Sequence, residues 1–132
     1  MLMSSIDKFL QSSAFAVIGA SSNRAKYGNK VLRCYLQHGK TVYPVNPHEQ
    51  QIEGLTVLPD LSDLPDDVMS ISIITPPKIT ELIVDEAIKK GIKNIWMQPG
   101  AESELAIRAC EVNNINVIAK GPCILVLLGY NE

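Results

Sequence analysis

Apolar positions along this chain fall into short continuous runs that alternate with longer stretches of helical spacing. AFAVIG, Ala14 to Gly19, has the continuous apolar character of a strand buried on both faces of a parallel sheet. Ser4 or Ser5 caps a short helix before it, Ile6 to Gln11. After a polar turn, Tyr27 to His38 predicts a helix with Val31, Leu32, Tyr35 and Leu36 inward, and Gly39 stops it. TVYPVNP, Thr41 to Pro47, predicts a second strand, in which Pro44 leaves one edge without a ladder partner.

GLTVLPDLSDLP predicts a short edge strand at Leu55 to Leu58. Met69 to Ile74 reads as the next strand, followed by Thr75 as a helix cap and by Pro76 and Pro77 in the first turn, where a missing N–H costs little. In the helix Ile79 to Lys90 the inward side holds Ile79, Leu82, Ile83 and Ala87, with Val84 and Ile88 at its margin, while Glu81, Asp85, Glu86, Lys89 and Lys90 face out. A strand from Lys93 to Gln98, a helix from Glu102 to Asn113 and a strand from Asn116 to Ala119 complete the pattern.

Such alternation predicts an α/β fold, a single Rossmann-like domain over residues 1–132 with a doubly wound parallel sheet of order 3-2-1-4-5-6 and the Leu55 strand at one edge. Ligands of such sheets sit beyond the carboxyl ends of the strands, which here deliver ASSNRAK, NPHE, TPPK, QPGAE and KGPC.

Composition agrees with one compact domain: 132 residues, 46% hydrophobic and 20% charged. Cys34, Cys110 and Cys123 show no disulfide or zinc spacing, so no metal is expected and a reducing cytoplasm is the expected location. The longest apolar stretch, Ile124 to Leu128, is too short to cross a bilayer, and nothing suggests a membrane or nucleic-acid partner. Net charge is only −2, yet Lys8 to His48 carries six Lys and Arg and no Asp or Glu, whereas 13 of the 14 acidic residues lie from Glu49 onward. That asymmetry points to an anion site in the first third.

The turn after the first strand, Gly19, Ala20, Ser21, Ser22, Asn23 and Arg24, lacks the second and third glycines of G-x-G-x-x-G, so the tight third-glycine contact is expected to be lost. Instead the hydroxyls of Ser21 and Ser22, the Asn23 amide and the N–H groups opening the helix converge on one place, with Arg24 and Lys26 at the rim, a setting for a pyrophosphate. Helix capping alone would leave those two basic residues unexplained. Strand two ends in Val45, Asn46, Pro47 and His48 without the carboxylate that takes NAD ribose hydroxyls, since Glu49 comes late. An extra phosphate is therefore admissible.

The ordered series VIGASSNRAKYGNKV, YPVNP, GLTVLPDLSDLP, IITPP with AIKKGIK, NIWMQPG and GPC resembles the small CoA-binding proteins, whose single Rossmann-like domain is similar to the N-terminal CoA-binding domain of the succinyl-CoA synthetase alpha subunit. The synthetase has glycine where this chain has Ser22. The resemblance implies CoA or an acyl-CoA as ligand. It implies that Ser21, Ser22 and Asn23 meet the pyrophosphate with Arg24 and Lys26 near it, and that Asn46, Pro47 and His48 border the adenosine and its 3′-phosphate. Thr75, Pro76 and Pro77 would wall the adenine or pantetheine side, and Gln98, Pro99 and Gly100 would meet the pantetheine arm.

No catalytic residue is assigned: the synthetases carry their phosphorylated histidine and ATP-grasp module on further domains, for which 132 residues leave no room. Non-catalytic binding of CoA is the leading expectation. A subunit of an acyl-CoA ligase, and a NAD(P)-binding or degenerate regulatory module, stay open, as do a homodimer and an unidentified protein partner.

Overall fold

The computed structural model describes residues 3–132; Met1 and Leu2, which the domain reading includes, lie outside the described residues. Five strands form one parallel sheet: β1 (Ala14–Ile18), β2 (Thr41–Val45), β5 (Ser70–Ile73), β6 (Asn94–Met97) and β7 (Asn116–Ile118), in the order β2-β1-β5-β6-β7. A separate two-stranded hairpin is made by β3 (Gln51–Ile52) and β4 (Leu55–Thr56). The helices are α1 (Ser5–Leu10), α2 (Tyr27–Gln37), α3 (Pro77–Lys90), α4 (Glu104–Val112) and α5 (Ile124–Leu128). The expected Rossmann-like α/β architecture is present.

Alternation along β1 divides the core into two layers. Ala14, Ala16 and Ile18 join Ile71, Ile73, Ile95 and Met97 beneath α3 and α4, where Val84, Ala87, Ala106 and Cys110 are buried. Phe15 and Val17 point to the opposite layer with Phe9 of α1, Val31, Leu32 and Tyr35 of α2, Trp96 and Ile124. There Phe9 meets the Trp96 ring edge-on at 5.3 Å, and Phe15 stacks on Tyr35 at 4.9 Å.

Several local expectations change. The edge strand at Leu55 to Leu58 is reduced to a single parallel bridge between Leu58 and Val45, held by Leu58 N–H to the Pro44 carbonyl (3.0 Å) and Asn46 N–H to the Leu58 carbonyl (3.0 Å). Glu53 and Gly54 cause this: both have positive φ, +50° and +79°, and so fold the chain into a tight antiparallel hairpin before it can run along β2. Pro44 uses its carbonyl on that outer edge, so its missing N–H lies there too, but the edge expected to need no ladder partner has one in Leu58.

Thr75 does not cap α3. Pro76 occupies the cap position without a side-chain bond, Pro77 begins the helix, and Thr75 Oγ1 instead meets Thr80 Oγ1 at 2.8 Å. Because Thr80 is satisfied by Thr75 and by the Pro76 carbonyl, it can be buried, and the inward face becomes Thr80, Val84 and Ala87, with Ile83 and Ile88 packed beside it. Ile79 and Leu82, expected inside, are exposed. Leu36 is also exposed, because the unforeseen α5 packs on α2, with the Cys34 thiol facing the Ile124 carbonyl, and so shifts the buried stripe toward Cys34.

Candidate functional site

The chain reverses direction across the sheet between β1 and β5, and there the loops leaving these strands lie against each other. Gly19, at φ +95°, sits so close to β5 that a Cβ would stand 2.3 Å from the Ile74 carbonyl oxygen. Gly28 in the first turn of α2 faces Gly19 from the other side, and a Cβ there would stand 2.2 Å from the Gly19 carbonyl oxygen. The close helix-to-strand contact expected to be lost is therefore made, nine residues on, by Gly28.

This approach opens a cleft of about 360 Å³ bordered by Gly19, Ala20, Ser21, Lys26, Tyr27 and Asn46, with Gly28, Glu49 and Ile74 completing its wall. A second cleft of about 300 Å³ shares Gly19 and is lined by Pro47, Thr75, Ile79, Asp60 and Glu86. Asp60 and Glu86 form a hydrogen-bonded carboxyl pair: that bond holds Asp60 below its ordinary value, while burial first and then Asp60 push Glu86 up.

A network of side chains holds the first turn. Ser21 Oγ accepts the Asn23 N–H at 3.1 Å, and Asn23 Oδ1 accepts the Ala25 N–H at 3.0 Å, so both side-chain oxygens are engaged in shaping the loop. Buried Asn29 donates to the Ser21 carbonyl (2.8 Å) and to Glu53 Oε2 (3.1 Å) and accepts from Arg33 Nε (2.6 Å). Arg33 Nη2 also donates to the Arg24 carbonyl at 3.0 Å. Asn46 Nδ2 donates to the Ala20 carbonyl at 2.8 Å, and its Oδ1 accepts the His48 N–H at 2.7 Å, tying the end of β2 to the same turn.

The hairpin turns two carboxylates back onto this loop. Glu53 lies 3.4 Å from Arg24 Nε, and Glu49 accepts the Ser22 N–H on both carboxylate oxygens, at 3.0 and 3.2 Å. Hydrogen bonding by Ser22, its hydroxyl first and its N–H second, holds the Glu49 carboxyl below its ordinary value. Thus Arg24 faces away from the cleft toward Glu53, while Lys26 remains at the rim.

Of the residues expected to bind a ligand, Gly19, Ala20, Ser21, Lys26 and Asn46 line the first cleft, and Pro47 and Thr75 line the second. Ser22, Asn23, His48, Pro76, Pro77, Pro99 and Gly100 line neither. Gln98 is wholly buried: its Oε1 accepts the Ile124 N–H (3.0 Å) and the Tyr27 hydroxyl (3.3 Å), while its Nε2 has no partner among the described residues. Tyr27, Gly28, Glu49 and Asn29 are participants the sequence reading did not place in the site. Gly28 alone carried a signal, a helix-weakening residue at a helix start. Among the described residues no three His, Cys, Asp or Glu side chains gather as a metal site would require, and no helix is long and apolar enough to cross a membrane.

Comparison with known proteins matches residues 13–129 to the CoA binding domain family. The acetate–CoA ligase (ADP-forming) II of Archaeoglobus fulgidus is 35% identical over 98 residues, 73% of this chain and 15% of that protein. The alpha subunit of the corresponding Pyrococcus furiosus ligase II is 31% identical over 91 residues, 68% of this chain and 20% of that subunit. This chain thus spans a fifth or less of the length of these relatives. Among solved structures, a conserved hypothetical protein of Pyrococcus furiosus superimposes with TM-score 0.82 at 42% identity, covering 86% of this chain and 97% of that one. A dinucleotide-forming acetyl-coenzyme A synthetase of Ca. Korarchaeum cryptofilum superimposes with TM-score 0.69 at 33% identity, covering 80% of this chain and 25% of that one. With a strand-turn-helix closed by Gly19 and Gly28 and a family match over nearly its whole length, the chain belongs to the CoA binding domain family.

Proposed function

We propose that the protein binds CoA or an acyl-CoA without transforming it, using the cleft at Gly19, Ser21, Lys26 and Asn46. The observation that carries this reading is the double glycine approach: Gly19 and Gly28 let the turn, β5 and the start of α2 meet backbone to backbone, which brings the turn and the Lys26 ammonium to the edge of one cleft. The residues fit an anionic nucleotide at the first cleft, where the Lys26 ammonium, the Asn46 amide and the start of α2 stand around one carboxylate, Glu49, and the second cleft continues from Gly19 past Pro47 and Ile79 to the Asp60 and Glu86 carboxyls. In this reading Thr75 and Pro47 face the adenine end. Gln98, tied to the start of α2 through Tyr27, lies toward the pantetheine arm, and Ser22 and Asn23 act by shaping the first loop.

A second reading, a CoA-binding part working with separate ligase domains, is favoured by the relatives in which a region like this one makes up 15 to 20% of an acetate–CoA ligase. Calorimetric titration with CoA, dephospho-CoA, desulfo-CoA and NAD tests the first reading. Saturable binding of CoA above NAD supports it, and equal or absent binding of all four removes it. Turnover with ATP, CoA and acetate after addition of a co-purifying subunit would establish the second.

A further inference from the structure

In the first cleft, an anion already sits on the loop. The N–H of Ser22, a residue that the family resemblance places against a ligand pyrophosphate, is taken at 3.0 and 3.2 Å by the two oxygens of Glu49. Glu49 lines the same cleft as Ser21, Lys26 and Asn46, and the chain that carries it is anchored on both sides. Upstream, Asn46 bonds the Ala20 carbonyl, and downstream, the Glu53–Gly54 hairpin is pinned by Asn29 and Arg24. The marked separation of basic and acidic residues along the sequence is thereby undone in space, because the first carboxylates of the acidic segment fold back onto the basic turn.

We propose that Glu49 is a resident anion of the ligand loop, a carboxylate that holds the turn in shape and that a phosphate group must displace in order to reach the Ser22 N–H. The inference rests on the phosphate-binding reading of this cleft and adds a determinant of selectivity. Displacing a carboxylate favours ligands with more negative charge and more acceptor oxygens than Glu49 itself offers, so the loop discriminates for a pyrophosphate and against a carboxylate or an uncharged nucleoside. After displacement the Glu49 side chain turns toward solvent, where its charge is hydrated.

The test is titration of the wild-type protein and Glu49→Gln with CoA and with inorganic pyrophosphate, alongside the Ser22 amide resonance of each ligand-free protein. Glutamine keeps the length and an acceptor oxygen but removes the charge, so CoA and pyrophosphate should bind the variant roughly three- to tenfold more tightly, the scale of exchanging a charged for a neutral hydrogen bond. In the wild-type protein the Ser22 amide should shift as Glu49 is protonated, and in Glu49→Gln that shift should vanish. Equal or weaker binding of both ligands by the variant overturns the proposal, since Glu49 would then be a neighbour or a partner of the ligand and not its competitor. An unshifted Ser22 amide overturns it as well. If CoA binds neither protein, the function proposed above falls, and pyrophosphate alone decides the role of Glu49: tighter binding to the variant supports it, equal binding overturns it.

Discussion

Gly19 and Gly28 show how much of the site depends on two missing side chains. At Gly19, positive φ and a backbone contact on the far side both oppose a Cβ, and at Gly28 a Cβ would drive α2 off the Gly19 carbonyl. Replacing Gly28 with alanine should therefore destabilise the protein by about 1–3 kcal/mol despite alanine's better helix propensity, as in other overpacked sites; urea unfolding measures this, and a stabilised variant would mean the helix shifts freely. Lys26 is the contrasting case, exposed at the rim with no carboxylate at ion-pair distance among the described residues, although its charge helps to lower the Glu49 carboxyl. Lys26→Glu should leave the urea midpoint unchanged and weaken CoA binding by roughly 1–3 kcal/mol, the range for a charge-assisted hydrogen bond. The Gly19 turn was legible because glycine at a strand end is a local signal. Asn29 was not, because its three partners at Ser21, Glu53 and Arg33 are joined only by the fold.

At the scale of elements, the hairpin β3–β4 governs the turn after β1. Asn29 links them, so Asn29→Ala should cost about 1–3 kcal/mol by leaving the Ser21 carbonyl and the Arg33 guanidinium without their partner, and it should weaken ligand binding as well; loss of stability with unchanged affinity would show that the loop keeps its shape without this tie. Glu49 adds a pH dependence of known sign. Its folded value is depressed relative to the unfolded chain, so the stabilisation it gives is fully present above the ordinary carboxylate value and fades as pH falls through the lowered folded value. The stability difference between wild type and Glu49→Gln should shrink across that acid range, and a difference independent of pH would remove the Ser22 contact from the account. The sequence showed the alternation of strands and helices because each burial pattern is local. It did not show α5, whose five apolar residues read equally as strand or helix until they meet α2, nor the hairpin, whose Glu53 takes a positive φ that its identity does not announce.

Across the whole molecule, the two core layers give each thiol a different fate. Cys110 is buried on the inner face of α4 and Cys34 on the face of α2 that meets α5, and burial pushes both thiols up to about 11, whereas Cys123 is only half-buried at the start of α5. At neutral pH the native protein should expose one reactive thiol, Cys123, to an aromatic disulfide reagent, and Cys34 and Cys110 should react only as fast as the fold opens. Since a ligand that binds the folded state alone lowers the population of opened molecules in proportion to its occupancy, CoA at about 100 times its dissociation constant should slow labelling of the two buried thiols roughly a hundredfold, equivalent to about 2.7 kcal/mol. CoA should leave the rate at Cys123 unchanged if the pantetheine arm ends short of α5 and lower it if the arm passes beside Gln98 and Tyr27, which border that helix. Protection of all three thiols, read by mass spectrometry of the labelled peptides, would extend the ligand path from Gly19 to the last helix, whereas protection of none would mean that CoA does not couple to the fold at all.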